Sequence, residues 1–217
     1  MGSLAKLVVL LSSVGFPSVT IADLPESLPQ IISPTASGNG CPHNAKFYGG
    51  FNDLSSSYST FNISIPDGSR TQNCQLHIQG TGGSPGWQVS VRDVWVKGHA
   101  CLHPGTNLEY YTTVYYSQDA SNTASRSRLS VKLRRFLANM ILQFTFRNGL
   151  KNDEQNIIDD DVTLHSDFSG NQVWSQCFGD SGYTGILNVN FRGALSGDGA
   201  AYFDAWTQNW ALDWRRC

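Results

Sequence analysis

Charge is scarce in this chain. Asp, Glu, Lys and Arg together make up 15% of its 217 residues, against about a quarter in an ordinary soluble domain. The formal net charge of −2 offers no basic field for nucleic acid or an anionic membrane, so nucleic acid is not expected as a partner. Amphipathic helical periodicity is almost missing, which disfavours bundles and alternating βαβ units. No C-x-x-C occurs, and no cysteine has a histidine at zinc-finger spacing, so the common structural zinc sites are excluded. The D-x-D-x-D-G run of a calcium loop is absent. No cofactor is expected. After residue 22 no apolar run is long enough to span a bilayer, so no transmembrane segment is expected.

What is present begins with a secretory pattern. Lys6 supplies the positive start, Leu7–Phe16 an apolar stretch and Thr20–Ala22 the small residues before a cut at Ala22–Asp23. Residues 1–22 are thus read as a signal peptide, 23–40 as a Pro/Ser/Gly-rich lead-in, and 41–217 as a single secreted domain. About 195 residues remain after the cut (217 less 22), enough for one real core. An extracellular destination makes disulfides the default for cysteine pairs. Cys41, Cys74, Cys101, Cys177 and Cys217 allow fifteen arrangements of two bridges and one leftover thiol. The reading favours Cys41–Cys74 and Cys177–Cys217, which clip the first and last thirds of the chain. Each would contribute roughly 3–4 kcal/mol by loop closure, with Cys101 free or paired to another molecule.

Gly, Ser, Thr, Asn and aromatics fill the space left by charge, the composition of an extracellular β-rich domain. Residues 86–96 alternate Trp87, Val89 and Val91 against Gln88, Ser90 and Arg92, and the phase shifts after Asp93 as a bulge would produce. Residues 107–117, 127–133, 140–146, 161–168, 185–191 and 210–214 are further predicted strands, separated by Gly, Asn, Asp and Ser clusters. Residues 152–161 suggest one short turn in an acidic loop. Six to ten such strands predict an all-β, antiparallel sandwich or jelly-roll-like fold.

The cysteine contexts carry a resemblance. GNGCP (38–42), NCQL (73–76), GWQVSV (86–91), VKGHACLHPG (96–105), WSQC (174–177), ILNVNF (186–191) and LDWRRC (212–217) follow one another in an order that resembles a family of small fungal secreted proteins, domain-of-unknown-function family 4360. The resemblance covers most of the chain after the signal. It implies a secreted, disulfide-bonded β-fold in which Cys41, Cys74, Cys177 and Cys217 are the matching cysteines, and it implies no activity. Cys101 and the basic arm around 126–135 depart from the family pattern.

Several residues are candidates for chemistry. His99 and His103 bracket Cys101 in an H-x-C-x-H that copper or zinc would accept; the blander reading is surface histidines beside a buried or paired thiol. Asp159–Asp161 with Asp153 and Glu154 collect oxygens without calcium-loop spacing; a solvated acidic loop, or one that neutralises Arg126, Arg128, Lys132, Arg134 and Arg135, suits them better. A glycosidase would need two facing carboxylates, and Asp93, Glu109 and the 153–161 group are the candidates. Tyr115, Tyr116 and Trp206 are candidate sugar-stacking rings, although Trp206, Trp210, Leu212 and Trp214 share an even spacing that argues burial on one strand face. Asn62, in the N-I-S sequon, is a candidate glycosylation site. The expectation is a monomeric extracellular or cell-wall-associated binding or structural factor whose partner is a cell-wall polysaccharide or a host surface component. A secreted carbohydrate-active hydrolase or lyase and a small protease inhibitor are the alternatives.

Overall fold

The computed structural model describes residues 24–43, 45–126, 150–151 and 157–217. Thirteen strands follow in chain order: β1 (Gln30–Ile31), β2 (Thr35–Ser37), β3 (Lys46–Tyr48), β4 (Ser55–Ser57), β5 (Asn62–Ile65), β6 (Thr71–Thr81), β7 (Trp87–Leu102), β8 (Thr106–Tyr116), β9 (Thr123–Arg126), β10 (Leu150–Lys151), β11 (Ile158–Asp167), β12 (Ile186–Gly197) and β13 (Ala201–Arg216). They form two antiparallel sheets. One has the order β1-β6-β12-β8-β10, with β2 also on β6 and β9 on β8; the other runs β11-β7-β13-β4-β3, with β5 also on β13. The fold is the all-β antiparallel sandwich that the alternating pattern predicts.

Alternation builds the core. On β6, Cys74, Leu76 and Ile78 face inward; on β8, Leu108, Tyr110 and Val114 do; on β12, Leu187, Val189 and Phe191 do. The second sheet answers with Val94, Val96, Ala100 and Leu102 from β7 and with Phe203, Ala205 and Leu212 from β13. Between the sheets lies an aromatic cluster in which Phe61 meets Phe191 at 5.2 Å and Phe203 at 6.3 Å between ring centroids. Tilted and edge contacts of this kind suit aromatic quadrupoles. Buried hydroxyls tie the layers together: Tyr116 on β8 donates to the Val89 carbonyl on β7 at 2.9 Å, and Ser166 on β11 donates to Thr112 on β8 at 2.8 Å. Disulfides join Cys41 to Cys74 and Cys177 to Cys217, and Cys101 is a free thiol.

Four sequence expectations change here. Residues 30–37 of the lead-in belong to the fold, because β1 and β2 pair with β6 at the edge of its sheet. The acidic loop is not a loop: Ile158–Asp161 opens β11, which pairs with β7 over its whole length. Of the evenly spaced set, Trp210, Leu212 and Trp214 face the core and Trp206 does not. A register shift between Ala205 and Thr207 inserts one residue and turns Trp206 outward, while Trp210 stays buried. Tyr116 is buried within the sandwich and cannot be a surface platform. The phase shift near Asp93 is present as the second β7–β13 irregularity, opposite Ala211 and Leu212. The expected strands at 127–133 and 140–146, the segment 1–22, and Arg128, Lys132, Arg134, Arg135, Asp153 and Glu154 lie outside the described residues.

Candidate functional site

Because side chains two apart on a strand share a face, the register of β11, β7 and β13 sets outward residues in rows across the second sheet. The rows read Asp159, Cys101 and Tyr202; Asp161, His99 and Asp204; Thr163, Lys97 and Thr207; and His165, Trp95 and Asn209. The last two rows continue through β4 to Lys46 and Tyr48 on β3. Asn62 on β5 stands beside Asp204. This outer face gathers rings, carboxylates and amides on one flat support.

His99 is its best-held group. Its Nε2 lies 2.7 Å from Asp159 Oδ1 and its Nδ1 lies 3.0 Å from Asp161 Oδ1. Two carboxylates can both accept only if both ring nitrogens carry protons, so the geometry selects imidazolium. The pKa is raised accordingly, first by the hydrogen bond to Asp161 and then by Asp159, with partial burial working against them. The ring is stacked with Tyr202 at 5.7 Å and 25° and with Trp206 at 6.4 Å and 22°. Tyr202 is 38% and Trp206 42% exposed, so each keeps ring surface open to solvent. Further along, Trp95 stacks on His165 at 5.2 Å and 7°, and His165 Nε2 lies 2.7 Å from Asp93 Oδ1. Arg92 bridges Asp93 and Asp213 at 2.8 and 3.1 Å. A groove of about 640 Å³ opens here, lined by Arg92, Trp95, Lys97, Thr163 and Asn209 among others, with Asn52 and Asp53 from the β3–β4 loop at its side.

The residues singled out in the sequence are dispersed by this arrangement. His99 and Cys101 share the outer face, but both His99 nitrogens are taken by aspartates and His103 lies past the end of β7. Among the described residues no group of three or more His, Cys, Asp or Glu side chains is disposed to hold a metal ion. The Cys101 thiol has its pKa raised, by partial burial and then by Asp159. Tyr115 lies on the opposite sheet, where its hydroxyl accepts from Gln75 at 2.9 Å in an amide network with Asn188. Of the carboxylates proposed for sugar cleavage, Glu109 is on that same opposite sheet, whereas Asp93 and Asp159 sit at different rows of this one. Of the three candidate rings, Trp206 alone joins the face. Sequence reasoning missed Tyr202, Trp95, His165 and Asn209. The signal for the first two was their alternation with buried neighbours; for the face as a whole it was long-range register, which no local pattern carries.

Fold and face together define a disulfide-braced antiparallel β-sandwich domain whose β11–β7–β13 surface carries exposed rings. The chain belongs to the family described as Domain of unknown function (DUF4360), which matches residues 28–217. No curated protein matches it. Among solved structures, that of TmCBM61 in complex with beta-1,4-galactotriose is similar at 9% identity, covering 85% of this chain and 88% of that one, with a TM-score of 0.24.

Proposed function

We propose that this is an extracellular protein that binds polysaccharide through the outer face of β11, β7 and β13. The observation that carries this reading is the pair of exposed rings, Trp206 and Tyr202, held in a stack by His99. A pyranose presents a flat C–H face edged by hydroxyls. Open aromatic faces receive the former, and Asp161 and Asp204 beside them are suited to the latter. A rigid sheet fixes these groups before the ligand arrives, so little ordering cost is incurred on binding.

The setting we propose is the cell wall or a host-facing surface, reached through the signal at 1–22. Two disulfides agree with an oxidising destination. Among the described residues no helix is long and apolar enough to cross a membrane. Retention of the purified protein on insoluble chitin, β-glucan and mannan tests the reading. We expect binding to at least one, reduced about tenfold or more in Trp206→Ala, equivalent to about 1.4 kcal/mol. Failure to bind any, or an unaffected Trp206→Ala variant, refutes it, and turnover of a soluble oligosaccharide would favour a carbohydrate-active enzyme instead.

A further inference from the structure

The groove at Trp95 stands apart from the Trp206 and Tyr202 platform but lies on the same strands. From Tyr202 to Asn209 along β13 is about 23 Å at about 3.3 Å per residue. A single sugar cannot reach both ends, whereas a linear chain of several residues can. The groove's lining is also chemically different from the platform. Lys97 is exposed and has no ion-pair partner among the described residues. Asn209 carries a buried amide oxygen with no hydrogen-bond partner. A buried acceptor left unpaired is costly, and the terminal amide torsion is soft, so a rotation that turns the amide toward a bound hydroxyl removes that cost. Thr163 stands beside Lys97 on the neighbouring strand, and Trp95 supplies a ring at the groove wall.

Charge narrows the class of ligand. Asp53, Asp93, Asp159, Asp161, Asp204 and Asp213 stand on or beside this face, against Lys46, Arg92, Lys97 and His99. Arg92 and His99 are already committed to four of those carboxylates. A polyuronate would approach a surplus of like charge.

On this basis we infer that platform and groove are two ends of one extended site for an interior stretch of a neutral linear polysaccharide, with Lys97 and Asn209 selecting the hydroxyl pattern. The inference rests on the polysaccharide-binding reading above. Titration calorimetry of the full chain with gluco-, manno- and chito-oligosaccharides from dimer to hexamer tests both separately. Expected is an affinity that rises at least tenfold with length for one series. Asn209→Ala and Lys97→Met should each weaken hexamer binding about five- to tenfold, about one hydrogen bond, while keeping the wild-type urea midpoint; Trp206→Ala should weaken every length. If Trp206→Ala loses binding while affinity is flat with length, or while the two groove variants bind hexamer like wild type, the extended site is overturned and the platform stands. Tighter binding of oligogalacturonate than of any neutral series overturns the neutral class. No heat and no retention with any of these sugars overturns both readings.

Discussion

His99 is where chemistry and position meet at the scale of single residues. Facing it are Asp159 and Asp161 from β11, Tyr202, Asp204 and Trp206 from β13, and Lys97 and Cys101 on its own strand. The two β11 carboxylates hold it protonated, so its folded pKa lies above the ordinary histidine value of 6.5. A group whose pKa rises on folding adds stability that is complete below the unfolded pKa and is lost as pH climbs through the folded one. The β11 end of the face should therefore hold tightest in mild acid and loosen as pH rises above 6.5. An NMR titration of the His99 ring should give a midpoint above 6.5, and amide exchange in Ile158–Asp161 should accelerate beyond the increase due to hydroxide alone as that midpoint is passed. A midpoint at or below 6.5 would contradict the two-aspartate clamp. Cys101, beside it, should alkylate slowly at neutral pH because its thiolate is disfavoured.

Among the strands, β13 decides the shape of the face. Its extra residue at Ala205–Thr207 turns Trp206 out beside His99. The neighbouring strand contributes Gly98, which lies opposite Ala205. A Cβ placed there would stand 2.3 Å from the Asp204 carbonyl oxygen and 3.0 Å from the Ala205 Cα. Backbone cannot yield as a flexible side chain can. Gly98→Ala should therefore force the two strands apart, destabilise by roughly 1–3 kcal/mol in urea unfolding, and weaken polysaccharide retention together with stability. A wild-type urea midpoint would show that the close approach is not needed. In the core, truncating Phe191, which meets Phe61, Tyr58, Tyr110 and Phe203, should cost about 3–5 kcal/mol by the same measurement. The strands themselves were legible: the Tyr/Thr/Val density of 107–117 and the alternation of 185–191 match β8 and β12. The outward turn of Trp206 was not, because a bulge is invisible in a periodic count that assumes its absence.

Over the whole molecule, the disulfides close the chain at both ends of the sandwich. Cys41–Cys74 ties the segment after β2 to β6 across a separation of 33, and Cys177–Cys217 ties the segment after β11 to the end of β13 across 40. Loop closure makes each worth about 4 kcal/mol, so reduction should lower the thermal midpoint by several degrees or more, as differential scanning calorimetry with and without reductant would show. The sequence alone determined the fold class, since period-two burial leaves a β-sandwich as the way to cover so many half-apolar strands, and it determined membership of a disulfide-bonded family through the order of its cysteine contexts. Spacing alone left fifteen cysteine arrangements open, of which Cys41–Cys74 with Cys177–Cys217 was the favoured one. Tertiary structure decided among them by bringing Cα atoms to 4.8 and 6.0 Å, within bridging range. It also decided the face, because which outward residues become neighbours depends on register between strands well separated along the chain, Asn62 beside Asp204 for one, and that register is fixed only when both sheets bury their inner sides together.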